Sequence, residues 1–241
     1  IIKESSFLSS YFYILRNKTA IIEFCMGNKI PHFLDSGAFS AMHSGAEIDI
    51  DAYIDFIKEH GAKFEKVAAL DCIGDWKGTE KNLQYMRGKG VNPIPVFHTN
   101  EPFDYLDNLL KENDYLCLGV TGSKLRQPQI IAWLVEVFKR RERINPACKM
   151  HGFALTSAKI MKYFDWDTCD STRYLSGMKF GAIFKLRNGD FYEMKGDEGR
   201  AMHPDWDYKK RTVHNAEIML EYVSKINTLK GKAVVSPRPT V

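Results

Sequence analysis

The feature of this sequence that most constrains its fold is a unit that recurs along the chain. Each unit is a short apolar run that ends in polar or glycine-rich residues and is followed by a helical pattern. Short apolar strands that alternate with helices are typical of parallel strands joined by helical crossovers. Seven runs carry the pattern: FLSSYFYIL (7–15), HFLDSGAFS (32–40), KVAALDCIGD (66–75), NPIPVFHTN (92–100), YLCLGVTGS (115–123), KMHGFALTS (149–157) and DWDTCDSTR (165–173).

The segments between these runs have the periodicity of amphipathic helices. An Asp before the first apolar turn and a Gly after the last one mark the ends of a helix predicted over 49–61. The same pattern predicts helices at 78–90, 101–113, 127–141, 157–164 and 213–226.

Seven strands, at roughly 30 residues a unit, suit a TIM-type (β/α)₈ barrel. A doubly wound open sheet is the alternative, although no G-x-G-x-x-G follows the first strand. After the seventh strand, β-rich arms flank Asn188-Gly189, a pair that favours a tight hairpin. We therefore predict a single α/β barrel domain over 1–241, with an antiparallel hairpin inserted at about 178–196 and a flexible tail at about 231–241.

Composition narrows the class of protein. The chain has 241 residues, of which 44% are hydrophobic, enough to bury one large core. A mean hydropathy of −0.31 and the lack of any apolar run near the roughly 20 residues of a spanning helix argue against a membrane protein. The net charge of +4 indicates an anionic partner only weakly.

The cysteines indicate a reducing compartment. There are five, an odd number, and no two have C-x-x-C spacing. The chain opens IIKESSFLSS, with neither an initiator Met nor the pattern of a secretory signal. We expect a cytoplasmic protein whose cysteines mostly pack in the core.

Polar residues recur where the predicted strands end, and in a parallel barrel those ends share one mouth, where reactive groups lie. Taken singly, an Asp after a strand is often the N-cap of the next helix, and a lone His is more often structural than catalytic. Carboxylates from three strand ends would repel one another unless a ligand or a reaction needs them. The candidates are Asp35, Ser36, Asp71, Asp75, His98, the loop from Gly119 to Ser123, Asp167 and Asp170.

Converging carboxylates suit three tasks. They could bind a divalent metal through oxygen ligands, or cleave a glycosidic bond as an acid and a nucleophile or base. They could also accept hydrogen bonds from the amidine-like edge of a guanine-type base. The turn Ser36-Gly37-Ala38 and the loop at Gly119 would let a planar ligand approach the backbone.

Six of these segments, in order, resemble motifs of the tRNA-guanine transglycosylase family. LDSGAFS (34–40) is similar to the family's DSGGFQ motif, and TVHN (212–215) to the His-Asn pair that begins its last helix. ALDCIGD (69–75) resembles the base-recognition strand, LCLGVTGS (116–123) the substrate loop, HGFALTS (151–157) the strand after it, and FDWDTCDSTR (164–173) the nucleophile strand. PVFHTNEPFDYL (95–106) and the D-S-T sequence are closer to the DpdA branch, phage and bacterial proteins that put 7-deazaguanines into DNA.

The resemblance implies a TIM barrel that exchanges bases at a glycosidic carbon. An Asp attacks C1′, guanine leaves, and a 7-deazaguanine displaces the enzyme from the covalent intermediate. By position in the family's motifs, Asp35 is the acid/base and Asp71 reads the base. The other substrate-binding positions are Ser36, Gly37, Asp75, His98, Gly119, Val120, Thr121, Gly122, Phe153 and Arg173.

The resemblance leaves the nucleophile open between two aspartates. An ungapped match to the tRNA enzymes favours Asp167, whereas the D-S-T match favours Asp170; Asp165 is a third candidate. On an extended strand, residues three apart point to opposite faces, so Asp167 and Asp170 cannot both enter the barrel. We favour Asp170, which lies at the strand's end beside Ser171 and Thr172.

The structural zinc of the tRNA enzymes is not expected here. Those enzymes carry a C-x-C-x-x-C group followed by the His of the His-Asn pair. His214 stands at that position, but residues 187–213 contain no Cys. A mixed site from His203, Asp205 and Asp207 is the alternative. We predict no metal and no cofactor, and the altered insertion favours DNA over tRNA.

The expected partners are a guanine or 7-deazaguanine base and a nucleic acid, either DNA or tRNA. The expected location is the cytoplasm, which is the host's cytoplasm if a phage encodes the chain. No membrane partner is expected. The sequence leaves open whether the chain forms a homodimer and whether it acts with partner modification proteins. Because a mouth lined with Asp repels phosphate, a basic rim must grip the polymer. Its candidates are Arg173, Lys179, Lys185, Lys209, Lys210 and Arg211.

Two other functions stay open at this point. A glycoside or N-glycoside hydrolase would use the same carboxylates with water as the acceptor. A catalytically inactive barrel would only bind a base or a nucleic acid, although the retention of Asp35, Asp71 and Asp170 together argues against it.

Overall fold

The computed structural model describes residues 6–17, 20–120, 125–188 and 190–232. The chain forms two compact units. One, which we call the strand unit, comprises Ile2–Phe153 and Trp166–Asp170. The other, the hairpin unit, comprises Ala154–Asp165 and Ser171–Val241.

The strand unit alternates strands and helices, as the recurring pattern predicts. Its strands are β1 (Phe7–Ser10), β2 (His32–Asp35), β3 (Lys66–Val67), β4 (Val96–His98), β5 (Tyr115–Gly119), β6 (Lys149–Gly152) and β7 (Thr168–Cys169). Its helices are α1 (Tyr11–Asn17), α2 (Ala20–Gly27), α3 (Ala38–His43), α4 (Ile50–His60), α5 (Trp76–Gly88), α6 (Phe103–Glu112) and α7 (Gln127–Ile144), with a short 3-10 turn at Gly61–Lys63.

The strands of this unit are parallel, and within each of two sheets every strand pairs with its neighbour in sequence. One sheet has the order β1-β2-β3 and the other β4-β5-β6-β7, and a parallel bridge between Ala68 and Ile94 joins the two. The pairings found among the described residues do not include one between β7 and β1, so the sheets are not closed. The fold shown is therefore mixed α/β with parallel sheets and helical connections.

An apolar core lies on one face of these strands. Phe33, Ala68, Val96 and Cys117 are buried together, with Leu8, Ile94 and Phe153 packed against them. The ring of Phe33 on β2 contacts that of His151 on β6, with 4.7 Å between centroids, so side chains of strands that are not paired meet over the sheets.

Period-two alternation puts polar residues above this core. Asp35 follows Phe33 by two residues, His98 follows Val96 and Gly119 follows Cys117, and residues two apart share a face of a strand. The core residues thus fix which side chains emerge at the carboxyl ends of the strands.

The first predicted strand differs from the structure. The run 7–15 forms a strand only over Phe7–Ser10 and then turns into α1. Tyr11 and Ile14, three residues apart, are both buried, which is the spacing of a helix face. A continuous apolar run hides that change of period, because it fits a strand and a buried helix equally well.

The hairpin unit contains the predicted antiparallel pair. Its elements are α8 (Ala158–Tyr163), a 3-10 turn at Arg173–Leu175, α9 (Ser176–Phe180), β8 (Ile183–Arg187), β9 (Asp190–Met194), α10 (Gly196–Met202) and α11 (Tyr208–Lys232). Arg187 pairs with Asp190 across the turn at Asn188; Gly189 lies outside the described residues.

Asn215 on α11 fastens the hairpin to its helix. Its buried Oδ1 accepts from the N–H of Phe184 at 2.8 Å, and its Nδ2 donates to the carbonyl of Ala182 at 3.0 Å. Helix α11 begins five residues before the predicted start and runs to Lys232, into the segment predicted as a tail, whose remaining residues lie outside those described.

No helix in the described ranges is long and apolar enough to cross a bilayer.

Candidate carboxylate site

Three aspartates of the strand unit lie close enough for their charges to interact. Asp35 ends β2, Asp71 lies in the loop after β3, and Asp170 directly follows β7. Burial, and then the charges of Asp71 and Asp170, raise the pKa of the Asp35 carboxyl to about 7, against the lowering effect of hydrogen bonds from the backbone of Gly37 and Ser36. The structure therefore brings together three of the carboxylates that the sequence predicts at the strand ends.

The turn after β2 holds Asp35 and depends on a glycine. The N–H of Gly37 donates to Asp35 Oδ2 at 3.1 Å. Gly37 has a φ of +82°, and a Cβ there would lie 2.7 Å from the Cβ of Phe12. Only glycine fits this backbone without strain, so the S-G-A turn has a conformational reason as well as a proposed ligand-binding one.

Two side chains hold the Asp71 carboxylate in place. The hydroxyl of buried Ser36 donates to Oδ1 at 3.0 Å, and Nε2 of His98 lies 3.1 Å from Oδ2. The side chain of Asp71 is only 10% exposed. A carboxylate with both oxygens engaged is oriented before any ligand arrives.

His98 also contacts a second carboxylate, that of Glu101. Its Nδ1 lies 3.2 Å from Glu101 Oε1, and its backbone N–H donates to Oε2 at 2.8 Å. Burial by itself lowers the pKa of His98, but the hydrogen bonds to Asp71 and Glu101 and the charges of both raise it to about 9. Sequence reasoning missed Glu101; its only signal is a Glu three residues after a strand-end His.

Gly119 makes room for the His98 ring. A Cβ at Gly119 would lie 2.7 Å from His98 Cδ2. The backbone of Val120 follows directly, while Thr121 and Gly122 lie outside the described residues. Gly119 thus contributes to the site through His98.

Asp170 lies next to a second buried histidine that sequence reasoning did not select. Nε2 of His151 is 3.4 Å from Asp170 Oδ1, and its Nδ1 is 2.7 Å from Thr168 Oγ1. The ring packs between Phe33 and Phe153, each with a centroid distance of 4.7 Å. Phe153 is thus a packing partner of His151, and the side chain of Asp170 remains 21% exposed.

Asp167 lies at the other end of the strands. Its Oδ2 accepts from the Tyr115 hydroxyl at 2.7 Å, and Oδ1 is 3.6 Å from the Lys149 ammonium. Tyr115 and Lys149 are the first residues of β5 and β6, whereas Gly119 and Gly152 are the last. This placement separates Asp167 from the three grouped aspartates.

The remaining candidates have separate environments. Asp75 is exposed and caps α5, accepting from the N–H of Gly78 at 3.1 Å. In the hairpin unit, Arg173 is 2.6 Å from Glu193 and lies over the ring of Phe191, and Asp165 is exposed.

A cavity of about 540 Å³ borders Asp71 in the strand unit. Apolar residues of α3 and the following loop make up much of its lining, together with Asn82 of α5. Its charged lining residues are Asp71 and Glu47, and no Lys or Arg is among the described residues that line it. Its acidic lining favours a ligand that donates hydrogen bonds.

His214 stands at the position that resembles a zinc ligand of the family, and one nitrogen of its ring contacts the backbone of the hairpin. The carbonyl of Phe184 accepts a hydrogen bond from His214 Nε2 at 3.0 Å, so this nitrogen carries a proton and has no free lone pair. In the described part of the chain, no group of three or more His, Cys, Asp or Glu is arranged to hold a metal ion.

Comparison of the chain with models of protein families, with curated proteins and with solved structures found no match.

Proposed function

We propose that this chain is a transglycosylase that exchanges a guanine-type base in nucleic acid, DNA rather than tRNA, for a 7-deazaguanine. The observation that supports it most is the Asp35 carboxyl with its pKa raised to about 7 by burial and by Asp71 and Asp170. A carboxylic acid that keeps its proton near neutral pH, beside another carboxylate, is what acid-assisted departure of a base requires.

In the proposed reaction, Asp170 attacks C1′ and the bond from C1′ to the base nitrogen breaks. The electron pair leaves with the base, and Asp35 supplies its proton. The product is a covalent glycosyl ester on Asp170. In the second half, the incoming base loses its ring N–H proton to Asp35 and displaces Asp170, which restores both carboxyls.

Asp71 is the proposed reader of the base. Its carboxylate oxygens can accept from the ring N–H and exocyclic amine of a guanine-type edge, and the neighbouring cavity of about 540 Å³ offers further acceptors. Hydrogen bonds to a charged acceptor contribute about 1.5–3 kcal/mol each, enough to select a base by its donor pattern.

A (β/α)₈-type barrel is the proposed frame for this site. The strand order follows the sequence without reversal in the described pairings, whereas a doubly wound sheet reverses at its switch point. The contact between Phe33 on β2 and His151 on β6 favours a curved arrangement.

The hairpin unit offers a proposed grip for the phosphate backbone. A cavity of about 400 Å³ there is lined by Arg173, Lys179 and Lys195 and by the hydroxyls of Thr172 and Ser176. Glu193 also lines it and pairs with Arg173, so the two lysines are the proposed phosphate contacts. The buried Ser176 Oγ has no hydrogen-bond partner among the described residues. Phosphate contacts would offset the few kcal/mol that extruding a base from its stack costs.

The test is exchange of radiolabelled guanine into duplex DNA and, separately, into tRNA. Incorporation into either polymer supports the transglycosylase and identifies its substrate. Release of free base without incorporation would instead support the hydrolase, and binding without either reaction a non-catalytic role.

Two matched variants test the nucleophile. Asp170→Asn should abolish the covalent adduct and lower the rate by several orders of magnitude. Asp167→Asn, the same change at the other end of the strands, should leave both nearly unchanged. The opposite pattern would transfer the role to Asp167.

A further inference from the structure

A chain of three buried charged side chains runs behind the carboxylate site. Glu101, His98 and Asp71 follow one another through the two ring nitrogens of His98, at 3.2 and 3.1 Å. The side chains are only 5%, 3% and 10% exposed. With both nitrogens occupied and the ring enclosed, His98 has no edge left with which to bind a substrate.

The geometry favours a charged ring, because a carboxyl group faces each of the two ring nitrogens. A neutral imidazole has a single N–H, so one carboxylate would face a lone pair; an imidazolium donates to both. Glu101 is itself fixed, since its second oxygen accepts from the N–H of His98. The far oxygen of Asp71 accepts from Ser36.

We propose that Glu101 and His98 are positioning residues for base recognition: Glu101 keeps His98 an imidazolium, and His98 holds the Asp71 carboxylate oriented toward the base. The proposal rests on the proposed function. It assigns Glu101 a role in a reaction whose substrate it does not touch.

The surroundings explain why Glu101 is needed. The charged groups that act on His98 are Asp71 and Glu101, and Gly119 of β5 packs on the ring without a side chain. On α6, the Tyr105 hydroxyl lies near the charge of Glu101 and has no hydrogen-bond partner among the described residues. Without Glu101, burial disfavours the imidazolium and one carboxylate alone opposes it.

The first measurement uses the native protein and needs no ligand. The ¹⁵N chemical shifts of the His98 ring, assigned through backbone connectivity, should show both nitrogens protonated at pH 8. In Glu101→Gln, one of the two ring nitrogens of His98 should already have lost its proton at pH 8. A neutral ring in the native protein at pH 8 would overturn the proposal.

The second measurement is the Kd of guanine between pH 6 and 8, with Glu112→Gln as the control because Glu112 is an exposed glutamate that ends α6. Because Asp35, with its pKa of about 7, titrates in all three proteins, the readout is the ratio of each variant's Kd to the native Kd at the same pH. This ratio should stay within about twofold for Glu112→Gln, whereas for Glu101→Gln it should rise about tenfold from pH 6 to pH 8 as His98 loses its proton. A loss in Glu101→Gln that is equal at every pH would mean a purely structural role. If the native protein does not bind guanine, the proposed function is wrong. The ¹⁵N chemical shifts of the ring would still determine whether His98 is charged, so the two failures can be told apart.

Discussion

At the scale of single residues, Asp35 sets a conflict between stability and activity. Its folded-state pKa of about 7 lies above the ordinary value of 3.8, so the folded protein holds the proton more tightly than the unfolded chain does. The stabilising effect of that proton is present below about pH 4 and is lost progressively up to about pH 7.

Asp35→Asn should therefore increase the Tm, and by an amount that grows between about pH 4 and 7 and then levels off. The same variant should lose exchange activity, because an amide cannot supply the proton. Thermal unfolding at several pH values measures the first effect. Asp205→Asn, at an exposed position, is the control and should show no such trend; an Asp35→Asn curve parallel to native would contradict the raised pKa.

Asp71→Ala should weaken binding of the base much more than binding of the polymer. It removes the hydrogen bonds to the base edge, each of about 1.5–3 kcal/mol. It also leaves buried His98 with one carboxylate, so the Tm should fall as well. Equilibrium binding of guanine and of DNA, compared in one buffer, separates the effects; equal reductions in affinity for both ligands would contradict base reading.

At the scale of elements, the close packing of β5 on the His98 ring gives a prediction for Gly119. In Gly119→Ala, a Cβ 2.7 Å from His98 Cδ2 must displace the ring or the strand, at a cost of about 1–3 kcal/mol. We expect a lower Tm together with weaker guanine binding. Gly88→Ala is the control, since nothing lies within 4 Å of its added Cβ and alanine favours the helix.

Much of the element pattern could be predicted from the sequence. The predicted helices at 49–61, 78–90, 101–113 and 127–141 correspond to α4 to α7, with ends shifted by zero to three residues. The helix-breaking residues and the apolar periodicity carry that information locally. The switch from β1 to α1 is not visible, because a continuous apolar run fits either period.

The site was predictable in part, for a physical reason. Asp35, Asp71 and Asp170 can be selected because strand ends of parallel sheets meet at one edge. The pairings of His98 with Glu101 and of His151 with Asp170 could not be, since they depend on side-chain direction and on which neighbour each ring faces. The position of Asp167 could not be predicted either, because its hydrogen bond with Tyr115, which places it at the opposite ends of the strands, is a tertiary contact.

At the scale of the whole molecule, binding of a nucleic acid depends less on the net charge of +4 than on which Lys and Arg side chains can contact a phosphate. The most basic stretches of the sequence are KRRER (139–143) and DYKKR (207–211). In the first, Arg140 and Arg143 pair with Asp107, and buried Arg141 donates to the carbonyl of Cys148. In the stretch 207–211, Arg211 donates to the carbonyl of His203. These arginines have structural partners, which weakens the case for either stretch as the phosphate grip.

The cavity in the hairpin unit is the better candidate because exposed Lys179 and Lys195 line it, although its Arg173 pairs with Glu193. The salt dependence of DNA binding tests it. Removing one cation from a phosphate reduces the slope of log K against log salt by about 0.9. Lys179→Ala combined with Lys195→Ala should therefore weaken binding to all DNA sequences alike and reduce the slope by about 2. Lys58→Ala with Lys111→Ala removes the same charge from exposed positions of the strand unit and should change the slope little. Because the two double variants have the same net charge, equal slopes would show that general charge, not this cavity, attracts the polymer.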